Sequence, residues 1–88
     1  PWSELAAMRV LLENYPQALA ALSQLEKTGG FKTGHYFLRA IVFDKLKDHE
    51  RALPEYEKFL AESNGASPDE EFKARQRARI IRRMLEKK

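Results

Sequence analysis

Alanine recurs at positions 6, 40 and 74, and again at 18 and 52, so one step of 34 residues carries the chain's small residues onto one another. The same step lays Trp2 over Tyr36, Leu19 over Leu53, Leu22 over Tyr56 and Leu25 over Phe59. It also lays Asn14 over Asp48, at breaks in the apolar pattern. Two antiparallel helices close to roughly 8–10 Å only where a small side chain lets the backbones approach. Large residues at fixed offsets then fill the gaps around it. A single helical hairpin cannot bury its apolar stripe alone, whereas stacked hairpins bury each stripe against the next. A constant register of this kind therefore predicts repeated helical hairpins.

The local signals agree. Ala, Leu, Glu, Lys, Arg and Gln dominate, and nothing alternates with the period of a strand. Five helices are expected. The first, about Ser3 to Glu13, carries Leu5, Met8, Leu11 and Leu12 as a stripe and stops at Asn14-Tyr15-Pro16. The second, about Pro16 to Lys27, is capped by Asn14 and ended by Gly29-Gly30. The third, about His35 to Lys47, places Tyr36, Ala40 and Phe43 on one face, with Phe37 and Ile41 on an adjacent one. The fourth, about His49 to Ser63, is capped by Asp48 and closed by Asn64-Gly65; Pro54 predicts a kink or a late start. Ser67-Pro68-Asp69-Glu70 reads as a capping box with Ser67 and Glu70 as partners, opening a longer fifth helix to about Glu86.

The pattern resembles the tetratricopeptide repeat over essentially the whole chain, with one repeat at about 2–34, a second at about 35–67 and a capping helix at about 68–87. The residues that carry the resemblance are the aromatic openers Trp2 and Tyr36, the small residues Ala6, Ala40 and Ala74, and the later aromatic Phe43. In the second helix of each pair they are Ala18 and Ala52, with the bulky Leu22 and Tyr56 four residues on. Arg9 replaces the family's aromatic, the usual inter-helix glycine is absent, and Leu25 and Phe59 stand where a small residue is common. The resemblance implies an all-α fold, a right-handed α-α superhelix of helix hairpins built from five helices. An unrelated helical bundle is the rival. The resemblance also implies that the first helix of each pair lines a concave peptide-binding face. Carried over slot by slot, that face holds Ser3, Ala7, Val10 and Leu11, then Phe37, Ile41, Asp44 and Lys45, then Glu71, Arg75 and Arg79. Phe37, Ile41, Lys45, Arg75 and Arg79 are the expected groove residues. The family's carboxylate clamp for chaperone tails needs asparagines and lysines that these slots lack.

Charge is distributed unevenly. Residues 1–71 hold 12 acids against 8 bases, whereas residues 72–88 hold 8 bases and Glu86 alone as acid, a local net of +7. On the fifth helix Ala74, Ala78, Ile81 and Leu85 form the apolar stripe, and Arg75, Arg79, Arg82 and Arg83 lie opposite. Arg77 intrudes on the apolar side, where an unpaired guanidinium is costly; an acid from the fourth helix is its expected partner.

Enzymatic chemistry finds little footing. No cysteine is present, so thiolate metal sites and cysteine catalysis are excluded. Gly29-Gly30-Phe31-Lys32-Thr33-Gly34 lacks the glycine before lysine and the upstream strand of a phosphate loop. His35 and His49 lack partners at metal-ligand spacing and read as structural or solvated. No cofactor is expected and the chain is read as a non-enzyme. No apolar stretch approaches the roughly 18 residues of a membrane span. Pro1 without an initiator methionine reads as a piece of something longer, and the compartment stays open, with the cytoplasm favoured over an exported fragment.

The expected function is therefore a protein–protein interaction scaffold. Its partner is a protein or peptide with acidic and apolar groups, since arginine grips carboxylates through paired hydrogen bonds. Membership of a longer array, or a homodimer formed through Met8, Val10, Leu11 and Leu12, is expected alongside. The alternative is a basic C-terminal helix that binds nucleic acid or an anionic surface. It ranks behind because Phe72 is the sole aromatic among those cations.

Overall fold

The computed structural model of the chain describes residues 14–87. These form an all-helical domain of four helices: α1 Tyr15–Thr28, α2 Thr33–Lys45, α3 His49–Ser63 and α4 Pro68–Glu86. The expected five-helix right-handed superhelix is thereby corrected. One complete hairpin, α2–α3, is flanked by α1 on one side and α4 on the other. The helix expected over residues 3–13, with Trp2, Ala6 and the apolar residues proposed for self-association, lies outside the described residues, so α1 has no described hairpin partner.

Helix ends follow backbone chemistry. Gly29 adopts φ 79°, and the N–H of Gly30 donates to the Leu25 carbonyl at 2.9 Å, closing α1 with a left-handed turn. α2 begins at Thr33 rather than His35, because His35 is itself a capping group: its Nδ1 accepts the Lys32 N–H at 2.8 Å. Asp48 precedes α3, but its side chain makes no capping hydrogen bond and pairs with Arg51 at 3.5 Å instead. α3 starts at His49 and runs through Pro54, so the late start expected from that proline does not occur. Asn64 (φ 43°) and Gly65 (φ 92°) turn the chain out of α3.

The main core joins α2, α3 and α4. Ala40, Ala52 and Ala74 are fully buried where these helices cross, and Tyr56, Phe59, Ala78 and Ile81 fill the space around them. Tyr36 and Phe43 pack on this core half-buried. Four pairs of residues 34 apart are buried together, Ala18 with Ala52, Leu22 with Tyr56, Leu25 with Phe59, and Ala40 with Ala74, whereas buried Val42 and Ile81 match exposed Gln76 and Lys47. A smaller cluster of Ala21, Leu22 and Leu25, with Phe31 and Leu38 against it, holds α1 to α2. Arg39 on α2 reinforces that junction. It pairs with Glu26 of α1 and with Glu55 of α3 at 3.1 Å, and its guanidinium lies 4.6 Å from the Phe31 ring centre.

Candidate functional site

A groove of about 530 Å³ opens between α2 and α4, with α3 beneath it. It follows from the alanine contacts. Ala40 and Ala74 let α2 and α4 settle closely on α3, and the larger side chains beside those contacts rise as walls. Phe37, Ile41 and Tyr56 supply the apolar floor. Phe37 is held in place by two aromatic neighbours, with ring centres 5.0 Å from Phe59 and 6.2 Å from Tyr56. Lys45, Lys47, Lys73 and Gln76 contribute the polar wall.

Asp44 and Arg77 meet within the groove. Arg77 donates from Nε to Asp44 Oδ2 and from Nη2 to Oδ1, both at 2.7 Å, in the bidentate geometry that suits a guanidinium to a carboxylate. The Tyr56 hydroxyl donates to Asp44 Oδ2 at 2.9 Å, and His49 Nε2 lies 3.9 Å from Oδ1. Burial works against the ionised form of Asp44, but the hydrogen bonds from Arg77 and Tyr56 outweigh it and hold the carboxyl below its ordinary pKa. Burial, then the hydrogen bond to Asp44, pushes the Tyr56 phenol above its ordinary value. Asp44 therefore acts as an ionised anchor that immobilises Arg77. The lysines remain as the groove's cations, since none of Lys45, Lys47 and Lys73 joins an ion pair among the described residues.

Phe37, Ile41 and Lys45 line the groove, together with Asp44. Arg75 and Arg79 do not; they are exposed on α4, outside the lining. In α4 they occupy the slots that Ile41 and Lys45 occupy in α2. Those slots in α2 look toward α4, whereas no helix follows α4 among the described residues. Glu71, carried into the groove by the same register, is instead buried at the α3–α4 turn. It accepts the Ser63 hydroxyl at 2.6 Å and the N–H groups of Gly65 and Ser67 at 3.0 and 2.9 Å. The Ser63 and Ser67 hydrogen bonds lead in holding its carboxyl below the ordinary value. This replaces the Ser67–Glu70 capping box, because a carboxylate one residue later reaches the turn that Asn64 and Gly65 fold back toward it. Arg77 does meet an acid, but on α2 rather than on the expected α3, since it faces across the groove.

Lys47, Lys73 and Gln76 were not singled out from the sequence. Their signal was available for Lys73 and Gln76, since Gln76 and Arg77 follow Lys73 at spacings of three and four, on one helical face. Among the described residues no group of His, Cys, Asp and Glu is placed to hold a metal ion, and no helix is long and apolar enough to cross a membrane. No family model matches the chain, and comparisons with curated proteins and with solved structures likewise find no match.

Proposed function

We propose that the chain is a protein–protein interaction module of tetratricopeptide-like design that receives a short peptide in the groove between α2 and α4. The single observation that carries this reading is the composition of that groove: an apolar floor of Phe37, Ile41 and Tyr56 beside three lysines outside any described ion pair. An apolar side chain of a partner would sit on the floor while flanking carboxylates meet Lys45, Lys47 and Lys73. The matched burial of four pairs of residues 34 apart supports the family resemblance, which the comparisons leave without a relative.

The test is selection from a random peptide library on the immobilised chain, followed by titration of the selected peptides. Selected peptides should carry Asp or Glu around an apolar residue. Ile41→Glu, or Lys45→Glu with Lys73→Glu, should abolish their binding, whereas Arg75→Glu with Arg79→Glu should leave it intact. Selection of basic peptides, or binding indifferent to the Ile41 and lysine substitutions, would overturn the reading.

A further inference from the structure

α4 presents a second surface, on the side facing away from the core. Ala74, Ala78 and Ile81 turn inward and are buried. Phe72, Arg75, Arg79, Ile80 and Arg83 are exposed on the opposite arc. Arg77 is clamped by Asp44, and Arg82 donates to Glu57 on α3 at 2.9 Å. Arg75, Arg79 and Arg83 form no ion pair among the described residues. They are spaced four residues apart, so they stand in a row about 12 Å long on one side of a continuous helix. Phe72 is 55% exposed at one end of that row, and Ile80, 45% exposed, lies beside it.

We infer that this face binds single-stranded nucleic acid, with the Arg75–Arg79–Arg83 row along the phosphates and Phe72 as a platform on which a base stacks. A linear row of cations complements a linear polyanion, and guanidinium planes also stack on bases. An anionic bilayer fits less well. Phe72 and Ile80 are two turns apart with arginines between them, which leaves no continuous apolar surface to enter the acyl region. A duplex fits less well too, because its stacked bases offer no free face to the exposed Phe72 ring. This surface is separate from the α2–α4 groove, whose lining includes none of Phe72, Arg75, Arg79, Ile80 and Arg83.

The test is fluorescence anisotropy of a labelled oligothymidylate of about 15 nucleotides, titrated with the chain. Salt is varied between about 50 and 200 mM. With three phosphates engaged, the logarithm of the affinity should fall against log salt with a slope of about −2. Replacing Arg79 with Gln should make that slope shallower by about 0.7. Phe72→Ala should weaken binding by about fivefold or more with the slope unchanged, the signature of lost stacking. All these side chains are exposed, and circular dichroism checks that the variants keep their helices. Ile41→Glu, in the separate groove, should leave oligonucleotide binding unchanged. Absence of saturable binding at the lowest salt, a slope indifferent to Arg79→Gln, or tighter binding to phosphatidylserine vesicles than to the oligonucleotide would overturn the inference.

Discussion

Arg77 of α4 grips Asp44 of α2 through two 2.7 Å hydrogen bonds, although 33 residues separate them in the chain. The pair lines the groove and, with the Tyr56 hydroxyl, ties α2, α3 and α4 to one carboxylate. Asp44→Asn should therefore destabilise the domain by about 1–2 kcal/mol, with the half-exposed guanidinium moderating the loss. Replacing both partners, Asp44→Leu with Arg77→Met, should cost less than Asp44→Leu alone, because no charge is left unpaired. Chemical denaturation of the singles and the double closes the cycle; a double variant no more stable than Asp44→Leu would contradict it.

The same pair sets a pH dependence. The Asp44 and Glu71 carboxyls are both held below their ordinary values in the fold. Their contribution is present above the unfolded-state pKa, about 4 for such groups, and is lost as pH falls through the lower folded values. Tm should be level above about pH 7. It should decline as pH falls below the ordinary imidazole value, because burial disfavours protonation of His35 and its Nδ1 accepts the Lys32 N–H. It should fall further below about pH 4 as Asp44 and Glu71 protonate. The gap between the native chain and Asp44→Asn should narrow over the same interval. A constant gap down to strongly acid pH would argue against the assignment.

Glu71 and Glu70 are adjacent and chemically identical, yet they stand in different places. Glu71 gathers the Ser63 hydroxyl and two turn N–H groups, while Glu70 is exposed. Glu71→Ala should lower Tm clearly, by orphaning those donors and loosening the α3–α4 turn. Glu70→Ala should lower it little. Thermal melts of the two variants side by side decide the point, and equal effects would restore the capping box.

Small residues at the helix crossings make a steric prediction. Ala52 is fully buried in α3, whereas Ala61 on the same helix is exposed. Ala52→Leu should cost about 1–3 kcal/mol or more by forcing helices apart. Ala61→Leu should stay within about 0.5 kcal/mol of the native chain. Equilibrium unfolding of both variants measures the contrast.

Arg39 links α1 to the hairpin through Glu26, Phe31 and Glu55. α1 otherwise rests on the small Ala21–Leu22–Leu25 cluster, so it should be the least protected of the four helices. Arg39→Ala should speed amide hydrogen exchange in α1 selectively and leave α4 near its native rate. Uniform acceleration across the domain would show that Arg39 supports the whole core instead.

The groove residues illustrate what reaches the sequence level and what does not. Phe37, Ile41 and Lys45 were expected in a groove because the repeat resemblance assigns their slots to a concave face, and they line the α2–α4 groove. Lys73 and Gln76 escaped because their slot was inferred from α2, whose neighbour on that side is α4; α4 has no such neighbour among the described residues. Arg75 and Arg79, carried over by the same register, lie outside the lining of that groove for the same reason.

The residues alone determined the helical character of the described chain, the bounds of α3 and α4, and the buried places of Ala18, Leu22, Ala40, Ala52, Tyr56, Phe59 and Ala74, although not that of the equally buried Val42. These are matters of local propensity, helix-ending chemistry and a fixed periodicity, all written into neighbouring positions. Tertiary structure alone decided that Asp44 rather than an acid of α3 holds Arg77, that Glu71 rather than Glu70 locks the α3–α4 turn, and which cations of α4 face the groove. Those outcomes depend on how three helices are rotated about their axes against one another. That rotation is set by side-chain packing among residues distant in the chain, for which no local pattern stands in.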